Sequence, residues 1–326
     1  MRTRITEMFG IDHPVVLAPM GGVAGGALAA AVTRAGGLGI IGCGYGDPRA
    51  GYGSVEWIDG EFQAAGNEKV GAGFITWSLA KRPELLDRII DRGSDPIFLS
   101  FGDPGPFIPA IRAAGRRLIL QVGSLAEARA AASFAPDVIV AQGAEAGGHG
   151  YGRRSLMTLL PEVVDAVAPI PVLAAGGISD GRGLAAALML GADGVLLGTR
   201  LFASREALGA DAYKQRIIRA TGDDTLHTRV FDIVRELDWP EGYGGRAIPN
   251  RFSETWHGRE AELAAAGATE TEAYHRARIA GDVGTAVVFA GEGIGLIDDC
   301  PPAAEIIERM VREAEELLRA APRSAG

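Results

Sequence analysis

The chain contains little cysteine, with only Cys43 and Cys300 among its 326 residues. Two cysteines cannot build a disulfide framework, and their scarcity is typical of the reducing cytoplasm, where we expect this protein. The five histidines lack the spacing of metal ligands, so we expect no metal site. No apolar run approaches the length that crosses a bilayer, and the N-terminus lacks the apolar core of a signal peptide.

Basic residues are also outnumbered, with 32 Lys and Arg against 41 Asp and Glu, which gives a net charge of −9. An acidic chain without a basic face is a poor partner for nucleic acid, so we expect a small-molecule ligand instead. A length of 326 residues suits one large α/β domain. The composition is compatible with a homodimer and does not decide the oligomeric state.

Eight short apolar runs recur along the first two thirds of the chain. They cover residues 13–20, 37–42, 70–77, 96–100, 118–122, 138–141, 171–175 and 194–197. Their nearly continuous apolar character is typical of parallel strands that are buried on both faces. Helical patterns lie between most of them, and no Gly-x-Gly-x-x-Gly follows the first run, which disfavours a dinucleotide-binding sheet. The pattern predicts an α/β fold of the (β/α)8 TIM-barrel type.

The pattern changes after about residue 217. Strand-type runs become scarce, and acidic, alanine-rich helical pieces prevail up to residue 297. An amphipathic helix over residues 305–318 then ends the chain. We therefore predict that residues 1–217 and 298–326 form the barrel. Residues 218–297 are predicted to form a smaller, mainly helical domain that covers the substrate at the barrel mouth.

Glycines surround a single histidine directly after the sixth apolar run. The segment reads Ala141-Gln-Gly-Ala-Glu-Ala-Gly-Gly-His149-Gly150. Glycines let the backbone approach a ligand closely, and an imidazole exchanges protons near neutral pH. The segment predicts an exposed histidine in a loop beside a flat cofactor and a small substrate. The alternative from this segment alone is a flexible surface loop.

Two further glycine-containing pairs follow the last two apolar runs, namely Gly176-Gly177 and Gly198-Thr199. In (β/α)8 barrels the loops after the seventh and eighth strands commonly bind phosphate through backbone N–H groups. A short helix that begins there would add its dipole. The order and spacing of the two pairs predict a phosphate-binding site.

Taken together, these motifs resemble those of the nitronate monooxygenase family. The resemblance covers nearly the whole chain, from Arg4-Ile-Thr-Glu7 and Ala18-Pro-Met-Gly-Gly22 to Ala290-Gly-Glu-Gly-Ile-Gly-Leu-Ile297. It implies an enzyme, an FMN-dependent oxidoreductase that holds FMN non-covalently and uses no metal. The implied reaction is oxidation of alkyl nitronates by O2 to carbonyl compounds and nitrite, with nitroalkanes accepted after loss of an α-proton.

The resemblance also implies roles for individual residues. His149 would be the catalytic residue, either as a base or as a group that orients the substrate anion. Gln121 would hydrogen-bond the polar edge of the flavin. The other implied contacts are to the isoalloxazine ring, to the 5′-phosphate or to the cofactor generally. These residues are Met20, Gly21, Gly22, Gly148, Ala175, Gly176, Gly177, Gly198 and Thr199.

Two positions depart from the family pattern. Gly73 stands where many relatives have asparagine, so a flavin or substrate contact would be missing. Glu292 stands where the family usually has glutamine, and a carboxylate there could change the charge of the pocket. Both departures bear on the substrate more than on the fold.

Rival functions share the same scaffold. An FMN-dependent enoyl-[acyl-carrier-protein] reductase would need a basic patch for its acidic carrier, and the candidates are Arg153, Arg154, Arg246 and Arg251. An NAD(P)H:quinone reductase is a second rival. A flavin-binding protein without activity, in which His149 is structural, is a third.

The remaining candidate side chains are interpreted mainly as structural. His13 is predicted to be structural, and His257 and His275 lie in the predicted covering domain. Cys43 follows a strand end and could face the barrel mouth. Three aromatic residues could form a lid, with core packing as the favoured interpretation: Trp239, Tyr243 and Trp256.

Overall fold

The computed structural model describes residues 1–45 and 52–320. The strands are β1 (Val15–Leu17), β2 (Ile40–Gly44), β3 (Gly71–Ile75), β4 (Ile97–Ser100), β5 (Leu118–Val122), β6 (Val138–Gln142), β7 (Gly148–Gly150), β8 (Val172–Ala175), β9 (Gly194–Leu197), β10 (Leu226–Thr228) and β11 (Gly244–Ala247). Each of the eight apolar runs overlaps one barrel strand, so the predicted series of strands is confirmed.

Eight of these strands close into a barrel. The order of the parallel sheet is β1-β9-β8-β6-β5-β4-β3-β2. Its two ends meet where Val16 bridges Leu38 in parallel, and the Leu17 N–H donates to the Leu38 carbonyl over 2.9 Å. The predicted (β/α)8 TIM barrel is therefore confirmed.

Helices follow most of the barrel strands and also make up much of the segment after residue 217. They are α1 (Arg4–Phe9), α2 (Gly26–Arg34), α3 (Val55–Ala65), α4 (Thr76–Leu79), α5 (Glu84–Asp91), α6 (Ile108–Ala113), α7 (Leu125–Ser133), α8 (Leu156–Val167), α9 (Gly181–Met189), α10 (Thr199–Phe202), α11 (Asp211–Ile218), α12 (Val230–Ile233), α13 (Arg251–Trp256), α14 (Glu260–Ala266), α15 (Ala268–Ile279) and α16 (Ala303–Ala320). The C-terminal helix α16 contains the whole predicted range 305–318.

Alternation along the strands divides the apolar core into two layers. Side chains such as Val16, Phe98 and Leu196 fill the barrel interior. Their neighbours along the chain point outward and pack against the surrounding helices, and this outer layer contains Leu17 and Cys43. Cys43 is fully buried in this outer layer, so the alternative that it faces the barrel mouth is wrong. Burial also raises the pKa of its thiol.

A second, three-stranded sheet joins the barrel to the segment after residue 217. Its order is β10-β11-β7, and all of its pairs are antiparallel. Strand β7 belongs to the glycine-rich segment after β6, whereas β10 and β11 lie in the predicted covering domain. The boundaries of that domain stay a prediction, and residues 321–326 of the predicted barrel segment lie outside the described residues.

Helix α1 closes the end of the barrel at which the strands begin. Its Ile5 is fully buried among the interior side chains. Arg4 holds the helix in place because its Nε and Nη2 donate to the two carboxylate oxygens of Asp193 over 2.7 and 2.6 Å. Asp193 also accepts from the Val172 N–H, at the start of β8, over 3.1 Å. This end of the barrel is therefore closed by apolar packing and a bidentate ion pair.

Ile5→Ala should leave a cavity at this closed end and lower the free energy of unfolding by about 2–5 kcal/mol. Met189→Ala truncates an apolar side chain that is 71% exposed and is the control. Its free energy of unfolding should change by less than about 0.5 kcal/mol. Urea denaturation followed by circular dichroism measures both. An Ile5→Ala variant as stable as the control would contradict the closing role of Ile5.

Candidate active site

A cavity of about 590 Å³ opens at the carboxyl ends of the barrel strands. It is lined by loop or strand-end residues from all eight barrel strands and by residues of the segment after 217. All the residues predicted for the site border this one cavity: Met20, Gly21, Gly22, Gln121, Gly148, His149, Ala175, Gly176, Gly177, Gly198 and Thr199. The carboxyl ends of the strands are also where (β/α)8 enzymes carry their active sites.

His149 lies in strand β7 rather than in a loop. It pairs with Gly245 of β11, and its side chain is only 7% exposed, so the expected exposed imidazole is wrong. The pairing strand lies nearly a hundred residues further along the chain, and no local pattern reveals it. The ring still borders the cavity, where a substrate could reach it.

A buried carboxylate is hydrogen-bonded to this histidine. The distance between His149 Nε2 and Asp232 Oδ1 is 2.7 Å, and the Asp232 side chain is 2% exposed. With Asp232 as the acceptor, the hydrogen of this bond is on Nε2. Nδ1 is then left as the ring nitrogen that can take up or release a proton.

Two further contacts hold the imidazole in place. The Trp239 ring stacks on it with centroids 3.7 Å apart and planes 5° apart. On the backbone side, Gln142 Nε2 donates to the His149 carbonyl over 3.0 Å. Trp239 also donates its indole N–H to the Tyr45 hydroxyl over 3.0 Å, so it belongs to the cavity wall as well as to an aromatic cluster.

The two predicted phosphate loops lie side by side in the cavity. Gly176 and Gly177 have φ values of 113° and 70°, which side chains other than glycine rarely adopt. Thr199 Oγ1 accepts from the Gly291 N–H over 3.0 Å, so its hydroxyl proton remains to be donated. A methyl group on Gly198 would meet only Met20 Sδ and Ala18 Cβ, at 3.6 and 3.9 Å. The loops can therefore offer N–H and O–H donors to an anion.

The N-terminus of helix α9 does not contribute to this group of donors. The Arg182 and Gly183 N–H groups donate to the capping carboxylate of Asp180 over 3.0 and 3.2 Å. The Gly181 N–H donates to Glu313 of α16 over 2.8 Å. An anion in the cavity would thus be bound by the loop donors and not by the start of this helix.

Gly21 and Gly22 lie beside the ring of Tyr52. A Cβ atom on Gly21 or Gly22 would come within 2.8 or 3.0 Å of that ring and displace it, and the φ of 72° at Gly22 further favours glycine there. By contrast, a Cβ on Gly148 would meet nothing within 4 Å, and its φ of 73° explains the glycine. Gly21 and Gly22 therefore border both the cavity and the ring of Tyr52, which itself lines the cavity.

The two departures from the family pattern have structural explanations. A Cβ at Gly73 would lie 2.5 Å from Pro19 Cβ, so this chain has no room there for asparagine. Glu292 forms an ion pair with Arg246 over 3.0 Å and is not among the cavity residues, whereas its neighbours Gly291 and Gly293 are. The carboxylate of Glu292 therefore neutralises an arginine outside the cavity.

Three of the four arginines proposed for a carrier patch are paired with acids. Arg154 pairs with Glu162, Arg246 with Glu292 and Arg251 with Asp282. The fourth arginine, at position 153, lies over the Tyr151 ring at 5.8 Å. Most of the predicted positive charge is thus balanced locally, which disfavours a dedicated carrier surface.

The other histidines lie away from the cavity lining. His257 Nδ1 is 3.0 Å from Thr228 Oγ1, and His275 contacts the Tyr274 ring edge-on. Across residues 1–45 and 52–320, no cluster of three or more His, Cys, Asp or Glu is placed to bind a metal ion. No helix within those ranges is both long and apolar enough to traverse a bilayer.

Sequence reasoning missed Asp232, which is hydrogen-bonded to His149, and Arg235, which lines the cavity. The segment Val230-Phe-Asp-Ile-Val-Arg235 reads as a short amphipathic turn. Its charges have the appearance of a solvated face, although both side chains are more than nine-tenths buried. Gln142 could have been found, because it follows an apolar strand at the same end as Gln121.

Comparisons with known proteins identify the family of the chain. The Nitronate monooxygenase family model matches residues 2–59 and 75–313. A nitronate monooxygenase of Neurospora crassa is 32% identical, over 94% of this chain and 90% of its own. A (3aS,4S,5R,7aS)-5-hydroxy-7a-methyl-1-oxo-octahydro-1H-indene-4-carboxyl-CoA dehydrogenase of Mycobacterium tuberculosis is also 32% identical, over 98% of both chains.

Among solved structures, FabK from Thermotoga maritima superposes with a TM-score of 0.82. It is 31% identical and covers 98% of both chains. The family match spans seven of the eight barrel strands in full, the histidine strand and the segment with Asp232, and it includes every predicted site residue. The chain is therefore an oxidoreductase that belongs to the nitronate monooxygenase family.

Proposed function

We propose that the protein oxidises alkyl nitronates with O2 to carbonyl compounds and nitrite, with FMN as its cofactor. The observation that carries the proposal is the His149–Asp232 pair at the wall of a cavity with two glycine loops for a phosphate. The Neurospora relative, a nitronate monooxygenase by name, supports the same reaction. Nitroalkanes would enter the reaction after loss of their α-proton.

The size of the cavity and the chemistry of its donors support FMN as the ligand. Its volume of about 590 Å³ lies within the range of about 300–1,000 Å³ for small-molecule pockets. Gly176, Gly177, Gly198 and Thr199 would hold the phosphate, and Gln121 would contact the polar edge of the ring. The chemistry that bound FMN supplies is acceptance of electrons from the nitronate and their transfer to O2.

The histidine would handle the proton and the charge of the substrate. With Nε2–H committed to Asp232, the free Nδ1 can remove the α-proton of a nitroalkane. When the ring is protonated, the same nitrogen can donate a hydrogen bond to a preformed nitronate. The Trp239 stack and the Gln142 hydrogen bond keep the ring in one orientation, which is what proton transfer to a fixed position requires.

Holoenzyme kept without oxygen should respond to an alkyl nitronate by a change in its flavin absorbance, and readmission of air should release nitrite. The same protein should respond slowly or not at all to NADH. Rapid bleaching by NADH without a response to nitronate would contradict the proposal. It would favour a reductase, and enoyl thioesters and quinones would be the next substrates.

Asp232→Asn should lower kcat/KM for nitronate by about 10- to 100-fold, because a hydrogen bond to a charged group contributes about 1.5–3 kcal/mol. Steady-state O2 uptake measures the effect, and flavin content should stay unchanged. Asp87→Asn, on the exposed side of α5, is the matched control. Equal activity of Asp232→Asn and this control would exclude the carboxylate from the mechanism.

Thr199→Val removes the hydroxyl donor of the proposed phosphate site. Affinity for FMN should fall by about tenfold or more, since hydrogen bonds to charged groups contribute about 1.5–3 kcal/mol. Fluorescence titration of the apoprotein measures this, with exposed Thr255→Val as the control. The affinity for riboflavin, which lacks the phosphate, should fall by less than about threefold. An equal loss for both flavins would place the phosphate elsewhere.

A further inference from the structure

Arg235 is a buried cation in the wall of the cavity. The residue follows α12, is 8% exposed and borders the same space as His149. A guanidinium stays protonated in proteins, and burial of an unpaired charge is costly. A charge at this position therefore needs a partner, which is either part of the protein or a ligand.

The described protein groups give Arg235 only a partial set of partners. Its Nη2 donates to the Tyr52 hydroxyl over 3.2 Å, and its guanidinium carbon lies 5.3 Å from the centre of the Tyr45 ring. Within residues 1–45 and 52–320, the Tyr52 hydroxyl is its one hydrogen-bond acceptor, and no carboxylate lies within ion-pair distance of it, although the nearby charge of Asp232 acts to raise its pKa. A guanidinium has five N–H donors, so most of them remain for a ligand.

The other two buried basic side chains among the described residues are satisfied by the protein. Arg200 donates to the Ala203 carbonyl and pairs with Asp299, each over 3.0 Å. Lys214 donates to the Arg205 carbonyl over 3.2 Å. Neither of them borders the cavity. Arg235 differs from both because it faces a space that a small molecule can enter.

Two chains of contacts place this guanidinium near the imidazole. Asp232 precedes Arg235 by one helical turn and binds His149 through Oδ1. On the other side, Tyr45 contacts Arg235 and accepts a hydrogen bond from Trp239, which stacks on His149. A molecule in contact with the imidazole therefore lies in the cavity whose wall includes Arg235.

We infer that Arg235 binds the two oxygens of the substrate anion and makes the cavity selective for nitronates over neutral nitroalkanes. This inference rests on the proposed function. A nitronate carries its charge on two oxygens of one nitrogen, which is the planar geometry that the guanidinium fork matches. The neutral nitro group has the same shape without the net charge, so charge alone separates the two ligands.

The first experiment compares holoenzyme of Arg235→Met and Arg235→Lys with that of Arg319→Met, an exposed control on α16. For Arg235→Met, KM for an alkyl nitronate should rise by about 10- to 100-fold, as expected for loss of a charge-assisted hydrogen bond. Its kcat should change by less than about threefold, because the guanidinium binds the substrate equally in the ground state and in the transition state. Arg235→Lys keeps the charge without the fork and should recover part of the loss.

The second experiment needs no turnover. Nitrate, a planar anion of similar shape, is titrated into oxidised holoenzyme, and binding is followed by the flavin absorbance. The dissociation constant should increase in Arg235→Met by the same factor as KM. The inhibition constant of a neutral nitroalkane should increase by less than about threefold, because its binding involves no net charge.

The outcomes separate the inference from the proposed function. Nitrate that fails to bind to the wild type, or binds equally well to Arg235→Met, overturns the inference. Equal weakening of nitrate and nitroalkane also overturns it, because that result indicates lost packing. If nitrate binding depends on Arg235 but nitronate is not oxidised, the proposed function fails and the anion site stands. If Arg235→Met does not retain flavin, the same comparison of nitrate with nitroalkane in Arg235→Lys decides.

Discussion

The hydrogen bond between His149 and Asp232 joins the two parts of the molecule on which the site depends. The histidine belongs to the glycine-rich strand after β6, and the carboxylate belongs to the turn of α12 in the segment beyond the barrel. Both side chains are more than nine-tenths buried, so each would be costly to leave without its partner. The orientation of the imidazole is thus determined jointly by the barrel and by the segment after residue 217.

Several motif glycines allow backbones to meet, in addition to leaving space for a ligand. A Cβ on Gly147 would lie 2.5 Å from the Gly291 nitrogen, and one on Gly291 would lie 2.5 Å from the Glu145 carbonyl oxygen. The Glu292 N–H donates to that same carbonyl over 2.9 Å. The histidine segment and the late glycine segment therefore form one layer of close-packed backbone at the cavity. Larger side chains at either position would separate them.

The sequence predicts the barrel and the glycine loops well because both depend on local patterns. Continuous apolar runs indicate buried parallel strands, and paired glycines mark the turns that follow β8 and β9. The exposed position expected for His149 is wrong because strand pairing with Gly245 is not encoded near the histidine. Asp232 is separated from His149 by 83 positions, and Arg235 lies between Val234 and Glu236 in a run of mixed apolar and charged residues that does not distinguish it from a surface arginine. Their roles follow from tertiary packing alone.

The distribution of positive charge favours a small, free substrate over one attached to a carrier. At the outer positions, Arg154 and Arg251 are neutralised by Glu162 and Asp282, and such exposed pairs attract a partner only weakly. Inside the cavity, Arg235 lacks a paired carboxylate among the described residues, and its field is less screened because the surroundings are apolar. A carrier protein would be recognised by the outer charges, which the protein balances itself. A small anion needs only the buried charge of Arg235, which faces the cavity.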